Sequence, residues 1–251
     1  MGLPSSLGLR SSPAPGLLLA LALLLAPLGA CTGRELPPPP AQEEESVRPD
    51  ANAQFLAPDL DLDHWIQTFE GESREIAVSR DAIAAAIQLR PGAAVADVGS
   101  GTGLFLAPLS AGVGQKGKVY ALDLSPGFVE HLRRRVASEG LSNVEVVQCT
   151  DRSVELAPDS IDVAFVCDTY HHFEFPRTVL ASVHRALRAG GTLVIVDFER
   201  IEGVSREWIL DHVRCGKEAT IEEIRAAGFG SPEEVPIAGL AENYCLRFPR
   251  P

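Results

Sequence analysis

Positive charge is scarce in this chain: 22 Lys and Arg stand against 34 Asp and Glu, a formal net charge of -12 over 251 residues, with pI about 5.0. A surface of that sign repels a phosphate backbone, which excludes nucleic acid as the main partner. The basic run Arg133, Arg134, Arg135 falls on the outer face of a predicted helix and reads as solvated surface. Aromatic residues make up only 6%, which also speaks against a large nucleic-acid substrate. No internal repeat is visible. Apart from Cys31, the cysteines are Cys149, Cys167, Cys215 and Cys245, whose spacing matches no zinc pattern, so no metal is expected. An exported chain would permit disulfides, yet Cys149 and Cys167 each end an apolar, strand-like run, where a buried free thiol is the commoner state. No pairing is assigned.

A long apolar run is absent too. The block Leu17 to Leu28 falls short of the ~20 residues that span a bilayer, but it suits the core of a secretion signal. Only Arg10 is charged before Cys31, and Leu28-Gly29-Ala30-Cys31 resembles a bacterial lipobox. That resemblance implies cleavage of residues 1–30, a lipid on Cys31 and a protein exported and anchored to a membrane through its N-terminal lipid. An ordinary signal peptide, or an unused leader on a cytoplasmic protein, are the alternatives. From Thr32 to about Pro58 the chain turns to Pro, Glu, Ala and Gln, with Pro37 to Pro40 and Glu43 to Glu45 consecutive. Such a composition reads as a disordered tether over 31–58, leaving one globular domain over 59–251.

Within that domain helical and strand patterns alternate. A helix over about Ile76 to Leu89 stops at Pro91-Gly92, and strands follow at Ala94 to Val98, Lys118 to Leu122, Val144 to Gln148, Ile161 to Cys167 and Thr192 to Val196. Between them lie helices around Leu104 to Leu109, from Ser125-Pro126 to about Glu139, and around Val179 to Leu187. Continuous apolar strands alternating with helices indicate a parallel sheet covered on both faces. After the fifth strand come a helix at about Arg206 to Arg214, a capping box at Thr220 and Glu223, and two segments, Glu234 to Ile237 and Asn243 to Phe248, suited to an antiparallel pair at the sheet edge.

Ligands of parallel sheets gather at the carboxyl ends of the strands. There the first strand runs into Asp97-Val98-Gly99-Ser100-Gly101-Thr102-Gly103. Glycine at alternate positions lets backbone approach a small polar ligand. A dinucleotide fingerprint would need glycine where Leu104 stands, which weakens a nicotinamide or flavin reading. The motif instead resembles that of class I S-adenosylmethionine-dependent methyltransferases, and Asp162 to Phe165 with Cys167-Asp168-Thr169-Tyr170-His171-His172 resembles the fourth-strand motif of the ubiquinone and menaquinone biosynthesis group.

The resemblance implies an α/β, Rossmann-like fold: a mostly parallel seven-stranded sheet with helices on both faces and an antiparallel C-terminal edge. It implies S-adenosylmethionine as cofactor and a small-molecule acceptor. Cofactor contacts then fall to Asp97, Gly99, Ser100, Gly101 and Gly103, to Asp123 for the ribose hydroxyls, and to Leu124, with Phe128, against the adenine. Asp151, with Thr150 as the alternative, meets the adenine amino group or else is an exposed turn aspartate, and Asp168 meets the methionine amino group. Tyr170, His171 and His172 orient the acceptor or remove its proton, or else serve only as structural hydrogen-bonding groups. His212 and Cys215 are the further residues a metal would call on. Trp65, Phe69, Glu70 and Arg74, with Trp208, His212, Arg214 and Lys217, are the expected lid and acceptor wall. A non-catalytic binding or scaffolding domain with this fold is the competing reading, because an exported enzyme has no evident cofactor supply.

Overall fold

β1 (Ala94–Val98) is buried at every position, and its alternate residues explain the architecture. Ala94, Ala96 and Val98 enter one apolar layer, while Val95 enters another on the opposite face, as the two-residue period of a strand requires. The same division holds along the neighbouring strands, so helices must cover both faces. A computed structural model describes residues 43–71 and 74–251; the leader and Cys31 lie outside the described residues.

Seven strands form one sheet: β1, β2 (Lys118–Asp123), β3 (Val144–Gln148), β4 (Ile161–Cys167), β5 (Leu187–Phe198), β6 (Glu233–Glu234) and β7 (Asn243–Pro249). Their order is β3-β2-β1-β4-β5-β7-β6. The first five are parallel, and β7 runs antiparallel to both β5 and β6. The sheet is therefore mostly parallel with an antiparallel C-terminal edge, as expected. The order of connection across the sheet reverses between β1 and β4, and a ligand crevice belongs at that switch point.

The helices are α1 (Leu62–Glu70), α2 (Glu75–Val78), α3 (Arg80–Ala86), α4 (Leu106–Val113), α5 (Pro126–Ser138), α6 (Pro176–Ala186), α7 (Glu207–His212) and α8 (Lys217–Ala226). Ser125 caps α5 by accepting from the Phe128 N–H, with Pro126 in the first turn. Two local expectations fail. The helix expected over Ile76 to Leu89 is broken at Ser79 into α2 and α3. Thr220 is not a capping residue, because α8 begins three residues earlier; its hydroxyl meets Tyr244 at 3.2 Å, and Glu223 turns to Arg214 and Tyr170.

The boundary expected at residue 58 also moves. The Glu44 carboxylate accepts from the N–H groups of Arg177 (2.9 Å) and Thr178 (2.7 Å) at the start of α6, where a helix has free donors and a positive dipole end. The Val47 N–H donates to the Glu174 carbonyl, and Asn52 is buried. Residues 43–58 thus belong to the folded unit, which runs from Glu43 to Pro251. Composition misread this stretch because its few contact-forming residues sit among solvated ones. Among the described residues no helix is long and apolar enough to cross a membrane, and Cys149, Cys167, Cys215 and Cys245 are free thiols.

Candidate active site

The carboxyl ends of β1, β2, β4 and β5 open on a cleft of about 960 Å³, at the upper end of the range for small-molecule sites. Its floor is the glycine loop. The N–H groups of Gly99 and Ser100 both donate to the Leu122 carbonyl, tying the loop to β2. Gly99 has φ +76°, and a Cβ there would lie 2.3 Å from the Thr169 methyl. Glycine is demanded twice, by the left-handed backbone and by the close approach.

Asp123 bridges the loop to α5. One carboxylate oxygen accepts from the Gly101 N–H at 2.8 Å and the other from the Ser125 N–H at 2.8 Å. Burial nevertheless pushes its pKa up to about 6, against the pull of those bonds. Burial likewise drives Asp97 up to about 7, with Ser100 pulling down and the Asp123 charge adding to the rise. Asp168, in the left-handed region at φ +47°, pairs with Arg74 and accepts from the Asn243 side-chain amide at 2.6 Å. The amide oxygen of Asn243 is buried without a partner.

These features fit S-adenosylmethionine. Acids around the loop offer acceptors to a ribose diol and favour a ligand carrying positive charge. The orphaned Asn243 oxygen is an acceptor that an ammonium group would satisfy. Asp97, Gly99, Ser100, Gly101, Asp123, Leu124, Phe128 and Asp168 all line the cleft, whereas Gly103 only shapes the turn into α4. Asp151 does not join them. A tight turn, closed by the Thr150 N–H on the Ser153 carbonyl, carries it to an exposed position beside a separate recess of about 40 Å³ shared with Gly99, Leu124 and Thr150.

The acceptor side is aromatic. Phe55 meets Trp65 at 4.8 Å between ring centroids and Phe128 at 6.0 Å, and Trp65 meets Phe69 at 5.1 Å. Phe55 belongs to the stretch read from composition as tether, so sequence reasoning missed it. The apolar pair Phe55-Leu56, in an otherwise polar segment, was its only signal. Trp65, Phe69, Arg74, Trp208 and His212 line the cleft as expected. Glu70, Arg214 and Lys217 do not: they are drawn into ion pairs with Arg135, Glu223 and Glu199, respectively.

The Tyr170-His171-His172 turn splits. Tyr170 is a correction: it is 1% exposed within the apolar layer, its hydroxyl donates to Glu223 at 2.6 Å, and it faces away from the cleft. In this 3₁₀ turn Tyr170 and His171 are both buried, Tyr170 in the apolar layer and His171 against Asp197. His171 and His172 do line the cleft. His171 Nδ1 donates to Asp197 at 2.7 Å, and His172 Nδ1 donates to the Ala51 carbonyl at 3.2 Å. The structure also brings His212 to them, with one ring nitrogen from each of the three within 4.8 Å of the others.

Comparison with known proteins agrees with this geometry. Residues 96–195 match the methyltransferase domain family. A probable cobalt-precorrin-6B C(15)-methyltransferase (decarboxylating) of Sulfolobus acidocaldarius is 36% identical over 105 residues, covering 41% of this chain and 53% of that protein. A ubiquinone/menaquinone biosynthesis C-methyltransferase of Marinomonas sp. is 28% identical over 115 residues, 45% of this chain and 46% of that one. The chain thus spans about half the length of these curated relatives. A crystal structure of a SAM-dependent methyltransferase from Aquifex aeolicus superposes with TM-score 0.64 at 27% identity, over 75% of this chain and 97% of that one. The fold is that of the Rossmann-like methyltransferases, and the domain is one whose cofactor is S-adenosylmethionine.

Proposed function

We propose that this chain, built around a methyltransferase domain, transfers the methyl group of S-adenosylmethionine to a small-molecule acceptor. The observation that carries this is the division of a single cleft into an acidic, glycine-floored half and an aromatic, histidine-bearing half. The cofactor supplies an already activated methyl on a sulfonium, so the protein's contribution is alignment, exclusion of water and removal of the acceptor's proton.

Each half has residues for its part. Asp97, Asp123 and Asp168, with the Gly99–Gly101 backbone, hold the cofactor by its polar groups. Phe55, Trp65 and Phe69 form an apolar wall that excludes water and suits a planar or hydrophobic acceptor. The histidine cluster stands on the acceptor side and assists the acceptor's deprotonation, with Asp197 holding the His171 ring in place. Tyr170 has no part in this.

We also carry forward export and lipid attachment at Cys31, on the strength of the apolar block and Leu28-Gly29-Ala30-Cys31. Fatty-acid labelling of the native chain against Cys31→Ala tests that address; unlabelled native protein rejects it. Isothermal titration with S-adenosylmethionine tests the cofactor. Binding in the micromolar range is expected, and none at millimolar ligand overturns the function. Label transfer in an acceptor screen then separates an enzyme from a binding domain.

A further inference from the structure

We infer that His171, His172 and His212 form a binding site for a divalent first-row metal ion, zinc foremost, on the acceptor side of the cleft. Its use in catalysis rests on the methyltransferase reading; the site itself does not.

Hydrogen bonds outside the cluster set the tautomers of two of its rings. A carbonyl oxygen accepts only, so the Ala51 carbonyl fixes a proton on His172 Nδ1, and the Asp197 carboxylate does the same for His171. In the neutral rings, each Nε2 is then left as a bare lone pair. Carboxylate and carbonyl partners on the far nitrogen are the supports that orient histidine ligands and raise their basicity toward a metal. His212 comes from α7, remote in sequence, and stacks edge-on to both, with ring centroids 5.1 Å from His171 and 5.0 Å from His172. Three imidazoles this close repel if protonated.

The span fits with a small adjustment. Nitrogen ligands at 2.0–2.1 Å from a tetrahedral zinc lie about 3.3 Å apart, whereas the three nitrogens here fall within 4.8 Å. Closing the difference calls for a shift of these side chains, of which His171 and His172 are tied by their Nδ1 hydrogen bonds. Three protein ligands leave a fourth position, which is the pattern of catalytic rather than structural zinc. All three rings line the cleft.

The ligand class for the open position is an acceptor hydroxyl or thiol. On coordination its proton leaves to solvent, because the metal lowers its pKa. The resulting lone pair forms the bond to the methyl carbon as the carbon–sulfur bond breaks, and the electron pair of that bond stays on sulfur, giving the neutral thioether.

Cobalt(II) titration of the purified full chain, followed by visible absorption, tests the site. One equivalent with bands of four- or five-coordinate cobalt is expected, displaced by zinc. His212→Ala and the milder His212→Gln should each weaken binding at least tenfold, and Asp197→Asn by about 10–100-fold, with circular dichroism reporting fold. Absence of such bands, or unchanged affinity in a folded His212→Ala, overturns the proposal. Cobalt binding by a chain that fails to bind S-adenosylmethionine would support the metal site and remove the methyltransferase function instead.

Discussion

Asp123 at the end of β2 accepts a hydrogen bond from the Gly101 N–H at 2.8 Å, so the acid and the glycine loop are one mechanical unit across two strands. The carboxylate that would read the cofactor's ribose also fixes the loop beneath it.

Asp123→Asn should therefore damage binding twice. A hydrogen bond to a charged group is worth about 1.5–3 kcal/mol, which corresponds to roughly a 10–100-fold rise in the dissociation constant for S-adenosylmethionine, measurable by calorimetry. Unchanged affinity would remove Asp123 from the cofactor site.

Gly99→Ala places a methyl 2.3 Å from the Thr169 side chain on a backbone at φ +76°. Gly92, at φ +86° with nothing within 4 Å, supplies the comparison: its alanine variant carries backbone strain alone, about 1 kcal/mol. Gly99→Ala should cost at least about 1 kcal/mol more in denaturant unfolding. Adding Thr169→Ala should recover part of the excess, and strict additivity would show that the clash is not the cause.

With Asp97 at about 7 and Asp123 at about 6, both acids of the free protein are partly protonated between pH 6 and 7. Both values lie above those of an unfolded aspartate. Their contribution to stability is accordingly full below about pH 4 and is lost as pH rises through 6–7. A positively charged ligand favours the ionised forms. Binding of S-adenosylmethionine between pH 6 and 7 should release protons, seen as enthalpies that vary with the buffer's ionisation heat, and affinity should fall as pH drops below 6. Buffer-independent heats would count against these acids as contacts.

Tyr170→Phe removes one hydroxyl bond to Glu223 and touches nothing in the cleft. A stability loss of about 1 kcal/mol with unaltered cofactor affinity and turnover is expected from melting and kinetics. A large fall in turnover at unchanged stability would restore Tyr170 to the chemistry.

Glu44→Gln tests the boundary of the domain. Its carboxylate meets two N–H groups at the start of α6 as well as the Thr178 hydroxyl, so its loss should cost about 1–2 kcal/mol. A neutral effect would return residues 43–58 to the role of a tether.

The parallel strands were legible because each is a short apolar run ended by a turn signal: β1, β3 and β4 lie at the bounds their sequences indicate. β5 extends beyond its apolar core, to Leu187–Phe198, because pairing with β4 and β7 recruits residues of weaker pattern. The acids of the glycine loop and of β2 were legible too, since their places follow from strand ends. Tyr170 was not: sequence placed it in the right loop, but a core contact decided where its side chain went.

The sequence by itself determined the layered α/β fold, the glycine loop and its acids, because periodicity and turn chemistry are local properties of the chain. Only the tertiary structure decided the acceptor half of the cleft. Phe55 from an apparently polar segment, His171 and His172 from the β4 loop and His212 from α7 meet through contacts that span up to 117 residues of sequence, and no local pattern encodes a contact closed over so long a loop.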